Sequence, residues 1–108
     1  MFITFQSKKL RAICESMHEA NESFGDKLAS RLRSRLSDLS VTDNILLLPV
    51  GSPEVRFEDG EECITITLFG DVKMGFVCGN TIKPKNQDNT INWSRVNRIR
   101  LVFIGDVK

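Results

Sequence analysis

Few groups in this 108-residue chain are equipped for chemistry. His18 is the only histidine, and at the edge of an apolar helical stripe it reads as a surface or half-buried side chain rather than a base. Cys14, Cys63 and Cys78 are scattered and form no C-x-x-C pair, which argues against both a zinc site and a disulfide framework and leaves them as small buried hydrophobes. That leaves the cations. Successive side chains of a strand point to opposite faces of its sheet. By that parity Arg56, Lys73, Arg98 and Arg100 fall together with Thr65 and Thr67, opposite the apolar set. Four cations on one face suit phosphate; they equally describe a solvated face, and Glu54 and Glu58 share their parity. Gly75, on the same side, leaves a gap where another backbone can approach closely.

The elements that would carry these residues follow from periodicity. Met1 to Phe5 is short, apolar and β-prone. Ser7 then precedes Leu10, Ile13, Cys14 and Met17, whose spacing predicts an amphipathic helix. A second helix is expected over 24–39, with Ser23 and Asp26 as a weak capping box and Leu28, Leu32, Leu36 and Leu39 along one stripe. Its other faces hold Lys27, Arg31, Arg33 and Arg35, a solvated surface or a docking site for an acidic partner. The run Ile45 to Leu48 is too short for a globular helix and is stopped by Pro49. From Val55 the period becomes two, and Asp59-Gly60 and Gly70-Asp71 are turn signals linking three antiparallel strands. Trp93 to Val96 is expected to make one helical turn, and Arg98 to Ile104 a last strand. Val55, Phe57, Ile64, Ile66, Leu68, Met74, Phe76, Ile99, Leu101 and Phe103 should form the sheet face that the helices cover. The expectation is an α+β fold of two layers, an N-terminal strand and two helices packed on a mostly antiparallel sheet, within one domain spanning 1–108.

Composition narrows the function classes less than its distribution does. Fifteen basic against fourteen acidic residues leave +1 overall, but residues 1–36 carry +3, 37–72 carry −7 and 73–108 carry +5. No apolar run approaches the ~20 residues of a membrane span, and Lys8 and Lys9 interrupt any secretory core, so a cytoplasmic protein without a membrane partner is expected.

The order of elements and several local strings resemble the RelE/ParE superfamily of type II toxins, within it the HigB-like plasmid-maintenance killer group. The strings are Phe5 with Lys9-Leu10, Phe24-Gly25-x-Lys27-Leu28-Ala29-x-x-Leu32, Leu36-Ser37-Asp38-Leu39 and Leu48-Pro49-x-Gly51. They continue with Ile64 to Phe76 as the strand pair, Ile91-Asn92-Trp93-x-x-Val96 and the closing Ile104-Gly105-Asp106. The resemblance implies a RelE-like fold and an endoribonuclease that cuts mRNA on the ribosome, without metal or other cofactor. It further implies neutralisation by a cognate antitoxin, commonly a helix-turn-helix protein. The family sets its site on the open sheet face and at the C-terminal end, which implies Arg56, Lys73 and Lys108 as catalytic residues and Arg98 and Arg100 as RNA-binding ones. A ribose 2′-OH would attack the adjacent phosphate, which calls for a base, cations and an acid.

The chain departs from that pattern in several places. Where the group usually ends Asp-Tyr-His, this chain ends Asp106-Val107-Lys108. The group's arginine before x-x-Phe is Lys73, which keeps the charge and loses the bidentate fork. There is no tyrosine, and Glu58, Asp59, Glu61 and Glu62 crowd the first hairpin. That hairpin reads as a solvated turn discouraging strand addition, or as a barrier to RNA. The missing pair leaves a second function open: a non-catalytic toxin homologue acting by binding its antitoxin or gyrase.

Overall fold

The computed structural model describes all 108 residues and places three helices, not two, on one face of a five-stranded sheet. After strand β1 (Phe2–Phe5), helix α1 (Lys8–Glu15) starts where the Ser7 hydroxyl accepts the Leu10 N–H at 3.1 Å, and it buries Leu10 and Ile13. The periodicity carried this helix through Met17. Instead Ser16 takes an extended conformation (φ −126°, ψ 120°), ends α1, and accepts the Glu19 N–H to begin α2 (Met17–Phe24). Ser16-x-x-Glu19 is the sequence pattern of a capping box, and it outcompetes one continuous apolar stripe. The third helix, α3 (Asp26–Ser40), begins after Gly25 with no side-chain cap, so the expected Ser23 cap is not used. Ala29, Leu32 and Leu39 face the core. Lys27, Arg31 and Arg33 are exposed as expected. Arg35 is different: its side chain is 11% exposed, donates to the Thr67 carbonyl at 3.4 Å and pairs with Asp38 at 3.8 Å.

Short 3₁₀ turns form at Ile45–Leu47 and Trp93–Arg95, where the sequence allowed no longer helix. Between them lies the meander of β2 (Glu54–Glu58), β3 (Glu61–Phe69) and β4 (Val72–Cys78), and the chain closes with β5 (Arg98–Ile104). Asp59 and Gly60 both take positive φ (52° and 79°), as a two-residue primed hairpin turn demands. The sheet order is β1-β5-β4-β3-β2, with β1 parallel to β5 and every other pair antiparallel.

The helices cover Ile64, Ile66, Leu68, Met74, Phe76, Ile99 and Leu101, all essentially inaccessible to water and part of one apolar cluster. Burying side chains of this size stabilises the fold by roughly 1.5–3 kcal/mol each. Two expectations about this face are corrected. Val55 and Phe57 remain 42% and 67% exposed, because α3 packs over β3 and the helix layer stops short of the edge strand β2. Phe103 lies on the other face altogether. Phe76 pairs with Leu101 but Gly75 pairs with Phe103, so Val102 is an extra residue in β5. This bulge inverts the parity, sending Phe103 to the helix-free side and burying Ile104 in its place.

The long connection from β4 to β5 is anchored by side chains. The Glu62 carboxylate accepts the Ile91 N–H through Oε1 at 2.9 Å and the Trp93 indole N–H through Oε2 at 2.8 Å. Asn80 accepts the N–H groups of Asn97 and Arg98 where β5 begins. No helix is long and apolar enough to cross a membrane.

Candidate functional site

Strand register fixes where the cations of the helix-free face stand. Arg100 is opposite Val77, Val77 opposite Cys63, and Cys63 opposite Arg56, so the two arginines end one row across four strands. Three strand spacings separate their backbones by about 14 Å. Lys73 is opposite Thr67, four residues along β4 from that row, or about 13 Å away. Arg98 is opposite Phe2 at the far end of β5, its guanidinium carbon 5.1 Å from the ring centroid. The four cations therefore share a face, as parity implied, but occupy its margins rather than one locus. No single phosphate meets them all.

The centre of the face is apolar and closed. The Phe103 ring lies across Gly75 so tightly that a Cβ there would be 2.1 Å from the ring's Cε2. The gap expected at Gly75 is thus filled from within the chain. Cys63, Thr65 and Val77 are buried beside it, and the Thr65 hydroxyl has no hydrogen-bond partner.

Next to this closed centre is a cavity of about 400 Å³. Cys63, Val77, Val102 and Phe103 give it apolar walls, and Gln6, Glu58, Asp59, Glu61 and Lys108 supply its polar groups. Each polar group arrives for a local reason. The Asp59-Gly60 turn sets Glu58 directly opposite Glu61, and their parity with Arg56 and Cys63 turns both carboxylates to the helix-free side. Like charges facing each other across a hairpin cost stability, and neither carboxylate has an ion-pair partner. Lys108 is delivered by the C-terminal turn, in which Ile104 and Val107 exchange both backbone hydrogen bonds at 2.9 Å. The Gly105 N–H donates to the Lys73 carbonyl at 2.8 Å, anchoring the same turn to β4. Gln6 extends β1 and donates its N–H to Leu101.

Of the residues expected to act, only Lys108 lines the cavity. Arg56 is adjacent, opposite the lining residue Cys63, and its Nη2 is 3.2 Å from Glu54 Oε2. Both partners are solvent-exposed, so the pair stabilises by no more than about 1 kcal/mol and can yield Arg56 to another anion. Lys73, Arg98 and Arg100 lie outside the cavity. Sequence reasoning missed Glu58, Glu61 and Gln6. The hairpin turn marked where the two glutamates would meet, but nothing local signalled that the C-terminus would join them.

The remaining candidates have other roles. Burial, then the Glu58 carboxylate, pushes the Cys63 thiol above its ordinary value, so at neutral pH it is a protonated wall atom rather than a nucleophile. His18 is exposed on α2. No three of the His, Cys, Asp and Glu side chains stand together as a metal-binding group. What the cavity offers is three carboxylates without ion-pair partners, Glu58, Asp59 and Glu61, and one ammonium against an apolar wall, a set able to accept a proton, donate a proton and hold one anionic group. Comparison with protein-family models, with curated proteins and with solved structures finds no match to this chain.

Proposed function

We propose that this chain is the toxin of a type II toxin–antitoxin pair of the RelE/ParE kind, and that it cleaves mRNA on the ribosome at the cavity of its helix-free face. The observation that carries this reading is the meeting of Lys108 with Glu58 and Glu61 in one cavity. Metal-independent RNA cleavage requires a base, an anion holder and an acid, and those groups are at hand. A glutamate of the facing pair takes the proton of a ribose 2′-OH. The 2′ oxygen forms its bond to phosphorus, and the bond to the 5′ oxygen breaks. Lys108 gives that leaving oxygen a proton, and Arg56, released from Glu54, holds the phosphate oxygens. The products are a 2′,3′-cyclic phosphate and a 5′-hydroxyl. Lys73, Arg98 and Arg100, spread along the same face, serve as a track for the flanking backbone, each neutralised phosphate adding about −0.7 to the log–log salt slope. A helix-turn-helix antitoxin is the expected neutralising partner.

A second reading, action by protein binding alone, is favoured by one feature. Glu58, Asp59 and Glu61 place three negative groups where a phosphodiester must enter. Induced expression separates the two. Growth arrest with transcripts cut inside translated codons, bearing 5′-hydroxyl ends, supports the nuclease; arrest with intact transcripts supports binding alone; normal growth rejects both.

A further inference from the structure

Three residues meet at the closed centre of the helix-free face. Gly75 stands in the interior of β4, a position where glycine weakens a strand and commonly marks the close approach of a ligand or another backbone. Phe103 is opposite it on β5, and the far ring carbons Cε2 and Cζ are the atoms that a Cβ on Gly75 would strike. Thr65 is opposite Gly75 on the other side, 2% exposed, with a hydroxyl that has no hydrogen-bond partner. Read across the sheet, the row is an unsatisfied hydroxyl, a bare floor, and a ring that reaches over the floor toward the hydroxyl.

Plain packing explains the shape of this seat and not its polarity. A buried hydroxyl forfeits its solvation unless something bonds to it, and a phenyl ring offers neither donor nor acceptor. Valine at 65 would fill the space without that loss. Floor and hydroxyl are satisfied together by a flat ring with nitrogen or oxygen at its edge. Phe103 is held loosely enough to give way, because it is only half-buried and borders the open cavity on one side. The Val102 bulge that turns it to this face is the kind of irregularity that re-aims a side chain beside an active site. We infer that the seat of Phe103 is a nucleobase subsite, which the free protein fills with its own ring. An unstacked base displaces the phenyl ring toward solvent, lies on Gly75 and takes the hydrogen bond of Thr65. Its ribose then stands next to the cavity of Glu58, Glu61 and Lys108, so the subsite rests on the reading that this chain acts on RNA.

Titration of the purified chain with adenosine, cytidine or uridine, followed by amide NMR, tests the subsite without mRNA, ribosomes or phosphate. Its failure is therefore distinguishable from failure of the cleavage reading. In the wild type the Gly75 and Thr65 signals should move at millimolar nucleoside. Phe103→Ala, which empties the seat, should bind at least about tenfold more tightly, because the binding-competent state no longer competes with a closed one. Adding Gly75→Ala to that variant raises the floor by a methyl group and should return the affinity to the wild-type level or below. Adding Thr65→Val instead should weaken nucleoside binding about fivefold and leave binding of benzene, which has no polar edge, unchanged. Circular dichroism checks the fold of each variant, and the wild-type titration decides alone if Phe103→Ala does not fold. Gly75 and Thr65 signals that stay still up to ~10 mM nucleoside overturn the inference. So do an emptied seat that binds no better than the wild type and a Thr65→Val variant that binds nucleosides like its parent.

Discussion

Removing the Glu62 carboxylate is the sharpest test of how the long β4–β5 connection is held. One half-buried side chain accepts two hydrogen bonds, from the Ile91 N–H at 2.9 Å and the Trp93 indole at 2.8 Å, and both donors belong to buried residues. Hydrogen bonds to a charged acceptor contribute about 1.5–3 kcal/mol each, and donors stranded out of water forfeit their solvation as well. Glu62→Ala should therefore destabilise the protein by about 3 kcal/mol, roughly a 12 °C fall in Tm at about 4 °C per kcal/mol for a domain of this size. Glu62→Gln should cost about half as much, because its amide oxygen can serve one donor while its NH₂ group opposes the other. The chain reports on itself: Trp93 is its only tryptophan, so urea or thermal unfolding followed by indole fluorescence reads the loop directly. In a double-mutant cycle with Trp93→Phe, which deletes the indole donor, a coupling of about 1–2 kcal/mol is expected, with circular dichroism following the variants that lack the indole. An alanine variant within about 0.5 kcal/mol of wild type, or a cycle with no coupling, would refute the clamp.

Two further perturbations probe the helix-free face and the helix layer. Gly75→Ala must expel the Phe103 ring and should cost about 1–3 kcal/mol in chemical denaturation. In a Phe103→Ala background most of that cost should vanish; equal costs in both backgrounds would mean that the ring does not rest on Gly75. Burial, reinforced by the Glu15 carboxylate, pushes the Cys14 thiol up to about 12 from an unfolded value of 9.0. The folded state then holds that proton more tightly, so the stabilisation is complete below pH 9 and is lost as pH rises through 9 toward 12. Between about pH 8 and 10.5 the wild type should lose more stability than Cys14→Ala, and parallel pH profiles would contradict the assignment.

The strands were legible because alternation is a strong local code. All four C-terminal strands, both tight turns and the helical turn at Trp93 fall where periodicity and Gly and Asp signals put them, and the run Ile45–Leu47, expected only to be too short for a helix, winds into a 3₁₀ turn. What escaped were events in which two local codes compete or distant segments meet. A capping serine split an apolar stripe at Ser16. One extra residue, Val102, inverted the parity that had assigned Phe103 to the core. Arg35 looked like its exposed neighbours because the Thr67 carbonyl it reaches is thirty-two residues away. The site shows the same division. Parity put Arg56, Lys73, Arg98 and Arg100 on one face, but their spacing across it, and the joining of Lys108 to Glu58 and Glu61, depend on pairings no local pattern contains.

The cavity is the centre of the functional proposal, and ribosome-dependent mRNA cleavage in a purified translation system measures it most directly. Cleavage should be slowed about 10²-fold or more in Glu58→Gln/Glu61→Gln and in a chain lacking Lys108, with folding and ribosome binding retained. Lys73→Ala should weaken binding with a smaller effect on the bound rate. Undiminished cleavage by the glutamine and truncated variants, or no cleavage by the wild type, would contradict the proposal.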